Sequence, residues 1–184
     1  MKISLRDLVL NPEILKAGRR ILLSGTVYTA RDAAHKRIIA MLNSGDAAPF
    51  NLKNAVIYYC GPSPAKPGAV IGACGPTTSS RMDVFTPKIL EEGVKFLIGK
   101  GARSEAVVNS IKENGAVYLV ATGGAAALLS KTVKKADLIA FEDLGPEAVY
   151  KLEVKDMPLI VAVDSTGSNI FELNRTVTSQ KGTH

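Results

Sequence analysis

A chain of 184 residues with 46% hydrophobic and 22% charged side chains can bury one sizeable core, so a single globular domain is expected. Its net charge of +6 comes from lysines and arginines interleaved with acids, and tryptophan is absent, which argues against a nucleic-acid partner and favours a small anion or an acidic protein. The N-terminal stretch MKISLRDLVLNPEILKAG breaks its apolar residues with charges, which excludes a signal peptide or a membrane span there and predicts a cytoplasmic protein.

The first half of the chain is predicted to alternate apolar strands with helices. Residues 21–28 form an apolar run, and in the following RDAAHKRIIAMLNSG apolar residues recur at helical spacing until Gly45 can end the helix. The runs AVIYYCGP (55–62) and AVIGACGP (69–76) each close with Gly-Pro, so both are predicted to be buried strands joined by a loop. A further helix is predicted from Ser80 to Glu92.

In the second half, a helix opens at Ser104 and ends at Gly115, and AVYLVATGG is predicted to be a strand that enters a Gly-Gly turn. The helix AAALLSKTVKKA follows, with its lysines in the last turn, and ADLIAFED and PLIVAVDSTG are two more apolar runs. This alternation predicts an α/β fold with a mostly parallel sheet. We interpret residues 1–184 as a single domain, with 1–20 as an N-terminal extension and 174–184 as a frayed tail.

Three segments share one format, an apolar strand followed by a turn of small or hydroxyl residues and the start of a helix. They are SGTVYTARD (24–32), CGPTTSSRMD (74–83) and VATGGAAAL (120–128). Because the carboxyl ends of parallel strands face a common crevice, where helix N-termini offer free N–H groups, these turns are expected to lie close together. Arg31 and Arg81 would both sit at such helix starts, and guanidiniums grip planar carboxylates bidentately. The pattern therefore predicts a site for a small dianion.

Each of these signals also has a purely structural interpretation. The hydroxyls of TTSS are typical of a helix cap, and Arg31 can pair with Asp32 at the surface. His35 on a helix is more often a surface or capping residue than a catalytic base, and Lys100 between two glycines is by default a loop lysine. The chain contains neither the G-x-G-x-x-G nor the GxxxxGK[ST] fingerprint, so a nucleotide site is not predicted.

Six motifs follow one another along the chain: SGTVYTARDAAHKR, YYCGP, GPTTSSRMD, the GKG at 99–101, ATGGAAAL and VDSTGSNIF. Together they resemble the β-subunit of class I fumarases and L-tartrate dehydratases over roughly residues 20 to 172. In longer relatives the same region is the C-terminal domain of a single-chain, iron–sulfur-dependent class I fumarate hydratase. The resemblance implies a swivelling β/β/α domain with a mixed, mostly parallel sheet flanked by helices.

The activity that this resemblance implies is that of an iron–sulfur hydro-lyase, which reversibly hydrates fumarate to (S)-malate. A tartrate dehydratase β-subunit is the alternative, and a stand-alone anion- or phosphate-binding domain or a non-catalytic scaffold subunit is a more distant one. The implied cofactor is a 4Fe–4S cluster bound by a partner α-subunit rather than by this chain, whose Cys60 and Cys74 lack metal-ligand spacing. The expected partners are that α-subunit and a dicarboxylate such as fumarate or malate, with no nucleic acid and no membrane, in a heterotetramer or around a homodimer of β chains.

The predicted substrate ligands, assigned with the help of this resemblance, are Arg31, Thr77, Thr78, Arg81 and Lys100. The two arginines are expected to clamp carboxylates and the lysine to add a further cation. The two threonine hydroxyls are expected to hydrogen-bond the substrate, with Thr77 also a catalytic residue that shares in proton transfer. Fixed donors are useful here because negative charge builds up on a carboxylate when a proton leaves the neighbouring carbon. Ser79 and Ser80 are interpreted as helix caps, and His35 as a structural residue that supports Arg31.

Overall fold

The structure, a computed structural model, describes residues 1–121 and 126–172 of the chain. Its strands are β1 (Lys2–Ser4), β2 (Arg20–Thr29), β3 (Val56–Tyr58), β4 (Phe96–Gly99), β5 (Val117–Ala121), β6 (Val133–Ala140) and β7 (Val149–Val163). Its α-helices are α1 (Leu5–Leu10), α2 (Asp32–Asn43), α3 (Thr86–Glu91), α4 (Glu105–Glu113) and α5 (Ala126–Thr132), and short 3-10 turns occupy Pro12–Ile14, Ser79–Met82 and Glu142–Glu147.

The strands form one sheet of seven in the order β1-β2-β3-β4-β5-β7-β6, and an additional pairing between β2 and β7 closes it into a barrel-like ring. Strands β1 to β5 pair in parallel with their neighbours, whereas β7 runs antiparallel to β2, β5 and β6. The predicted α/β class, with a mixed sheet flanked by helices, is therefore confirmed. The antiparallel β6–β7 hairpin and the closure of the sheet were not predicted.

Strand β7 closes the sheet because it is long and carries a β-bulge. Along one edge it pairs with β2, and along the other it pairs with β6 in its first half and with β5 in its second half. Its side chains in the cluster inside the ring fall on even positions at Leu152 and Val154 and on odd positions at Met157, Leu159 and Val161. The phase changes at Asp156, which has a positive φ of 54° and donates its N–H to Ser24 Oγ. Since a bulge bends the strand that carries it, the two halves of β7 can follow different neighbours.

The central strands are buried on both faces, which explains why they are continuous apolar runs in the sequence. In β3, Val56 and Tyr58 belong to the cluster inside the ring of strands, whereas Ile57 belongs to a second cluster under the helices. Helices α2 and α3 contribute Ile38 and Ile89 to this second cluster. The helices therefore cover the outer face of the sheet, and α2 starts directly beyond the carboxyl end of β2.

The strand predicted at 69–76 is wrong, although its sequence AVIGACGP resembles that of β3. The backbone here turns back on Ser63, whose N–H donates to the carbonyl of Ala73 and whose carbonyl accepts the N–H of Gly72. A Cβ added at Gly72 would lie 2.4 Å from that Ser63 carbonyl oxygen. The close approach therefore needs glycine, and it uses hydrogen bonds that a strand would offer to a neighbouring strand.

Two predicted helices are shorter than expected. The stretch Ser80–Glu92 is divided between the 3-10 turn Ser79–Met82 and helix α3, which begins at Thr86 with a proline in its first turn. Helix α5 ends at Thr132, because Val133 pairs with β7 and begins β6. The lysines expected in the last helical turn are thus divided between the helix and the strand, where tertiary pairing overrides helix propensity.

The first 19 residues pack against the sheet. Strand β1 pairs in parallel with β2, and Leu8 and Leu15 are fully buried. Helix α1 comes so close to β2 that a Cβ added at Gly25 would lie 2.9 Å from Leu5 Cβ, and Gly25 has a φ of +137°. Both the contact and the backbone conformation therefore call for glycine at this position.

Some of the sequence-based description falls outside the described residues, namely the Gly-Gly turn at 123–124 and the tail at 174–184. The interpretation of the chain as one domain with an extension at 1–20 stays a prediction. None of the helices in the described part of the chain combines the length and the apolar character that spanning a membrane requires.

Replacing Gly25 with alanine is expected to lower the free energy of unfolding by about 2 kcal/mol or more, since the new Cβ overlaps Leu5 and the backbone disfavours an L residue. Urea-induced unfolding measures the loss. Gly18→Ala is the matched control, because Gly18 also has a positive φ (+85°) but nothing lies within 4 Å of its added Cβ. That control should cost only the backbone penalty, about 1 kcal/mol. Equal losses in the two variants would contradict the close packing of α1 on β2.

Candidate active site

The segment GPTTSSRMD runs along the carboxyl ends of two neighbouring strands. The N–H of Thr77 donates to the carbonyl of Tyr59, just after β3, at 2.7 Å. Thr78 forms an isolated parallel bridge with Lys100, just after β4. Helix α2 starts at the same edge, beyond β2, with Arg31 as its N-cap residue. The fold therefore brings four of the five predicted ligands to one edge of the sheet.

The fifth predicted ligand, Arg81, meets Arg31 at the side chain of Asp32. The Nε of Arg81 donates to Asp32 Oδ1 at 2.9 Å, while Arg31 Nη2 lies 3.6 Å from Asp32 Oδ2. Arg31 Nη2 also lies 3.2 Å from Glu147 Oε1. The pairing of Arg31 with Asp32 that the sequence allowed as a structural alternative is present, and it connects the two arginines instead of leaving them as separate surface charges.

Ser79 anchors the segment from beneath. Its side chain is fully buried, and its Oγ accepts the N–H of Lys100 at 2.9 Å. The same Oγ lies 2.9 Å from the hydroxyl of Tyr118, which donates to the carbonyl of Gly101 at 2.8 Å. A Cβ added at Gly99 would fall 1.9 Å from Ser79 Oγ, so only glycine leaves room for this contact. The end of β4 and the hydroxyl segment are thereby held together.

The capping role predicted for Ser79 and Ser80 is wrong. The 3-10 turn Ser79–Met82 has Thr78 at its N-cap position, and no side-chain hydrogen bond caps it. The Ser79 hydroxyl is engaged with the end of β4, and Ser80 is exposed. The prediction failed because an α-helix does not begin here, and a single 3-10 turn offers few unpaired N–H groups to a cap.

Arg103 supports the segment and was not identified from the sequence. Its buried guanidinium lies 5.3 Å from the ring centroid of Tyr59 and 5.0 Å from that of Tyr118, and its Nε donates to Asp83 Oδ1 at 2.7 Å. Asp83 Oδ2 also accepts the N–H of Ser104 at 2.8 Å. Burial tends to lower the pKa of Arg103, but Tyr59 and Asp83 raise it above its ordinary value, so the charge is retained. This ion pair ties the end of GPTTSSRMD to the loop after β4.

His35 holds Arg31 from the inside of the protein. Its Nδ1 lies 2.9 Å from the carbonyl oxygen of Arg31 and must donate to it, since a carbonyl only accepts. The imidazole stacks on Phe85 and meets the ring of Tyr59 edge-on. Burial lowers the pKa of His35 to about 4, although the hydrogen bond to the Arg31 carbonyl works in the opposite direction. A buried, neutral imidazole in this place fits the expected support of Arg31 and contradicts the surface alternative.

The motif VDSTGSNIF forms a turn around a buried carboxylate. Asp164 accepts hydrogen bonds from the N–H groups of Ala17, Thr166 and Ser168 and from the Thr166 hydroxyl. Burial tends to raise the pKa of Asp164, but these hydrogen bonds, with the Thr166 hydroxyl foremost, hold it below the ordinary value. The motif therefore joins the end of β7 to the N-terminal segment, which is a structural role.

The two cysteines face each other inside the ring of strands. Cys60 and Cys74 are fully buried free thiols whose sulfur atoms lie 3.1 Å apart. Their mutual contact and their burial raise the pKa of the Cys60 thiol. Within the described residues, no set of three or more His, Cys, Asp or Glu side chains is placed to hold a metal ion. These two thiols therefore do not fit the ligand set of an iron–sulfur cluster.

Three of the five predicted ligands lie on an open surface, and Arg31 and Thr77 are half-buried. Thr78, Arg81 and Lys100 are exposed, and the side chain of Arg81 is 53% accessible. An apolar groove of about 370 Å³ lies between the loop after β3 and the β6–β7 hairpin, but none of the five predicted ligands lines it. A substrate held by these ligands would need a second surface to enclose it.

The family model described as Fumarase C-terminus matches residues 2–174 of the chain. The chain is 44% identical over 164 residues to the "Putative L(+)-tartrate dehydratase subunit beta" of Methanocaldococcus jannaschii, an alignment that covers 86% of this chain and 84% of that protein.

Similarity extends to longer proteins. The chain is 39% identical over 156 residues to "Fumarate hydratase 2" of Leishmania major, covering 84% of this chain and 28% of that protein. It is 35% identical over 155 residues to "Fumarate hydratase class I, aerobic" of Escherichia coli (strain K12), covering 83% of this chain and 28% of that protein. The chain thus spans little more than a quarter of the length of these two relatives.

The buried state of His35 predicts a pH-dependent stability. The pKa is about 4 in the folded protein against an ordinary value of 6.5, so between these values the unfolded chain binds a proton that the folded chain does not. Stability is therefore lost as the pH falls from 6.5 towards 4. The difference amounts to about 3 kcal/mol of unfolding free energy between pH 7 and pH 4.

Urea-induced unfolding across this pH range, on the wild type and on His35→Gln, measures the effect. The variant has a side chain that does not titrate, so its unfolding free energy should fall less over the same interval. Parallel pH profiles for the two proteins would show that His35 is not buried in its neutral form.

Proposed function

The chain belongs to the Fumarase C-terminus family, and we propose that it is the β-subunit of an iron–sulfur hydro-lyase that reversibly hydrates fumarate to (S)-malate. The printed name of the relative with 44% identity, a subunit beta, supports a divided enzyme. The cluster-bearing part of such an enzyme would then be a separate α-subunit. We propose that this α-subunit is the partner of the chain.

The observation that carries the proposal is the meeting of the predicted ligands at one edge of the sheet, with Arg31 and Arg81 connected through Asp32. Guanidinium groups match planar carboxylates through two parallel hydrogen bonds. A four-carbon dicarboxylate has two such groups, and the amine of Lys100 adds a further positive charge. A phosphate site would instead call for a glycine-rich nest, and a scaffold subunit would have no use for two linked arginines at an exposed edge.

The residues of this chain would act by binding and by stabilising developing charge. When a proton leaves the carbon beside a carboxylate, negative charge builds up on that carboxylate, and a fixed donor aimed at it lowers the barrier by about 3 kcal/mol. Arg81 is accessible enough to reach such a group. The backbone N–H of Thr77 is already bonded to Tyr59, so its hydroxyl is the group that would donate to the substrate and share in proton transfer.

We propose that the 4Fe–4S cluster belongs to the α-subunit, since Cys60 and Cys74 are buried against each other in the core. When bound there, such a cluster supplies a Lewis acid for the substrate hydroxyl and carboxylate. The exposed positions of Thr78, Arg81 and Lys100 fit a site that the cluster-bearing subunit encloses from the other side.

A tartrate dehydratase β-subunit is the second candidate. It is favoured by the relative with 44% identity, which is named as a tartrate dehydratase subunit and matches this chain over nearly its whole length. Tartrate and fumarate are both four-carbon dicarboxylates, so the arginines of this chain would bind either one.

We further propose that the closed sheet swivels as one body against the α-subunit. The heterotetramer, the homodimer of β chains and the cytoplasmic location stay predictions.

Reconstitution tests the proposal. The purified chain should be colourless and should not hydrate fumarate, whereas addition of the α-subunit under anaerobic conditions should give both the cluster absorbance and the activity. Assays with fumarate and tartrate on the same complex distinguish the two substrates. The double variant Cys60→Ala/Cys74→Ala should leave the iron content of the complex unchanged. An isolated chain that binds iron and sulfide stoichiometrically, or hydrates fumarate unaided, would refute the assignment.

Thr77→Val should lower kcat more than it raises KM in the reconstituted enzyme. Valine keeps the shape of threonine and removes only the hydroxyl, so the variant isolates a role in the transition state. Removing one such donor typically costs about a hundredfold in kcat. Thr78→Val is the comparison, because a hydroxyl that only binds substrate should act mainly on KM. A pure KM effect of Thr77→Val would demote Thr77 to ground-state binding.

A further inference from the structure

Asp32 is the contact between the two predicted carboxylate clamps. It is the first residue of helix α2, and its carboxylate accepts from Arg81 Nε at 2.9 Å and lies 3.6 Å from Arg31 Nη2. Its Oδ2 is buried and has no hydrogen-bond partner within the described chain. A carboxylate in this position does more than begin a helix, because two guanidiniums lie within ion-pair distance of it.

The contact with Asp32 leaves the two terminal nitrogens of the Arg81 guanidinium free to bind a ligand. Arg81 uses its Nε towards Asp32, and no contact within the described residues engages its two terminal nitrogens. Those two nitrogens form an edge that binds a carboxylate through two parallel hydrogen bonds. An exposed arginine side chain has many rotamers, so an ion pair through Nε would select those that point this edge away from Asp32.

Arg31 is held by a second carboxylate. Glu147 places Oε1 3.2 Å from Arg31 Nη2, and its Oε2 accepts the N–H of Ala33 at 2.9 Å. Two arginines and two acids are formally neutral together, so this network adds no net attraction for a dianion. Its contribution is the geometry of the guanidiniums, and Lys100 is left as the unbalanced positive charge.

We propose that Asp32 is a positioning residue for the hydro-lyase reaction, one that holds Arg31 and Arg81 as a joined ligand for substrate carboxylate. This inference rests on the proposed function. The competing interpretation is that Asp32 only stabilises the start of α2 by interacting with the helix dipole. A second one is that its negative charge simply weakens dicarboxylate binding, in which case its removal would improve affinity.

Kinetics of the reconstituted complex separate these interpretations. Asp32→Asn keeps an acceptor oxygen without the charge, and Asp32→Ala removes both. If Asp32 positions the arginines, the KM for fumarate rises in the order wild type, Asp32→Asn, Asp32→Ala, with a total change of about tenfold. If only charge matters, KM falls equally in both variants. Glu105→Gln is the matched control, since Glu105 is the exposed first residue of α4, and it should leave KM unchanged.

A double-mutant cycle ties the effect to Arg81. Asp32→Ala should raise KM less in the Arg81→Lys background than in the wild type, because one of the two guanidiniums that it joins is already gone. If Arg81→Lys itself keeps its kcat/KM, Arg81 is not a substrate ligand and the proposed site fails together with this inference. If Arg81→Lys loses activity while both Asp32 variants behave like the wild type, only the inference about Asp32 fails.

Nuclear magnetic resonance gives a readout independent of the cluster and of activity. In the full chain without its partner, the Nε–H proton of Arg81 should exchange with water more slowly in the wild type than in Asp32→Ala, because the hydrogen bond protects it. Equal exchange rates in the two proteins would show that Asp32 does not hold Arg81 in solution and would overturn the proposal.

Discussion

The pairing of β7 with both β2 and β5 is the constraint on which the rest of the structure depends. Parallel strands β2 to β5 would by themselves form an open sheet with two free edges. Because β7 pairs with both end strands of this set, the sheet closes into a ring whose interior is filled by side chains. The carboxyl ends of β2, β3 and β4 are thereby held at one rim, where the segments that follow them meet.

The rim is built from loops, so the placement of its side chains depends on buried polar contacts beneath these loops. Ser79 is bonded to the backbone at the end of β4, and Arg103 connects Asp83 to the same region while lying between two tyrosine rings. A buried charge of this kind is costly unless its partners satisfy it, and removing either partner leaves the other unpaired. These contacts anchor loops that belong to no strand or long helix, and such anchoring is what a preorganised binding site requires.

The sequence predicted those elements in which local pattern and tertiary environment agree. The apolar run of β2, the helical periodicity of α2 and the Ser104 cap of α4 match the structure, and Gly45 and Gly115 follow the ends of the two helices. By contrast, AVIYYCGP and AVIGACGP are alike in composition, yet only the first forms a strand, because Gly72 lies against Ser63 where the chain turns back. The end of α5 was missed for a related reason, since pairing with β7 converts Val133 and its neighbours into a strand.

The candidate site was predictable to a similar degree. The family resemblance and the expected meeting of strand ends predicted that the five ligands lie at one edge. Neither of them indicated which charged side chains form ion pairs with one another. Asp83 and Arg103 are separated by 20 positions. Arg31 follows β2, whereas Glu147 directly precedes β7, the last strand. No spacing rule links such pairs, because their contact is a product of tertiary packing. The same holds for Cys60 and Cys74, whose contact follows from two turns packed into one core.

The start of α2 contains buried polar atoms that have no hydrogen-bond partner within the described residues. In the described residues, the buried side-chain nitrogen and oxygen atoms without a hydrogen-bond partner are Arg31 Nε, Asp32 Oδ2 and His35 Nε2. A buried polar group left unpaired typically costs about 1–3 kcal/mol. All three atoms lie on one helical turn, where Asp32 Oδ2 faces, within the described chain, only the Arg31 guanidinium, at 3.6 Å. Local disagreement with the rules of stability is expected where a surface serves binding, and this turn is the one at which both arginines meet.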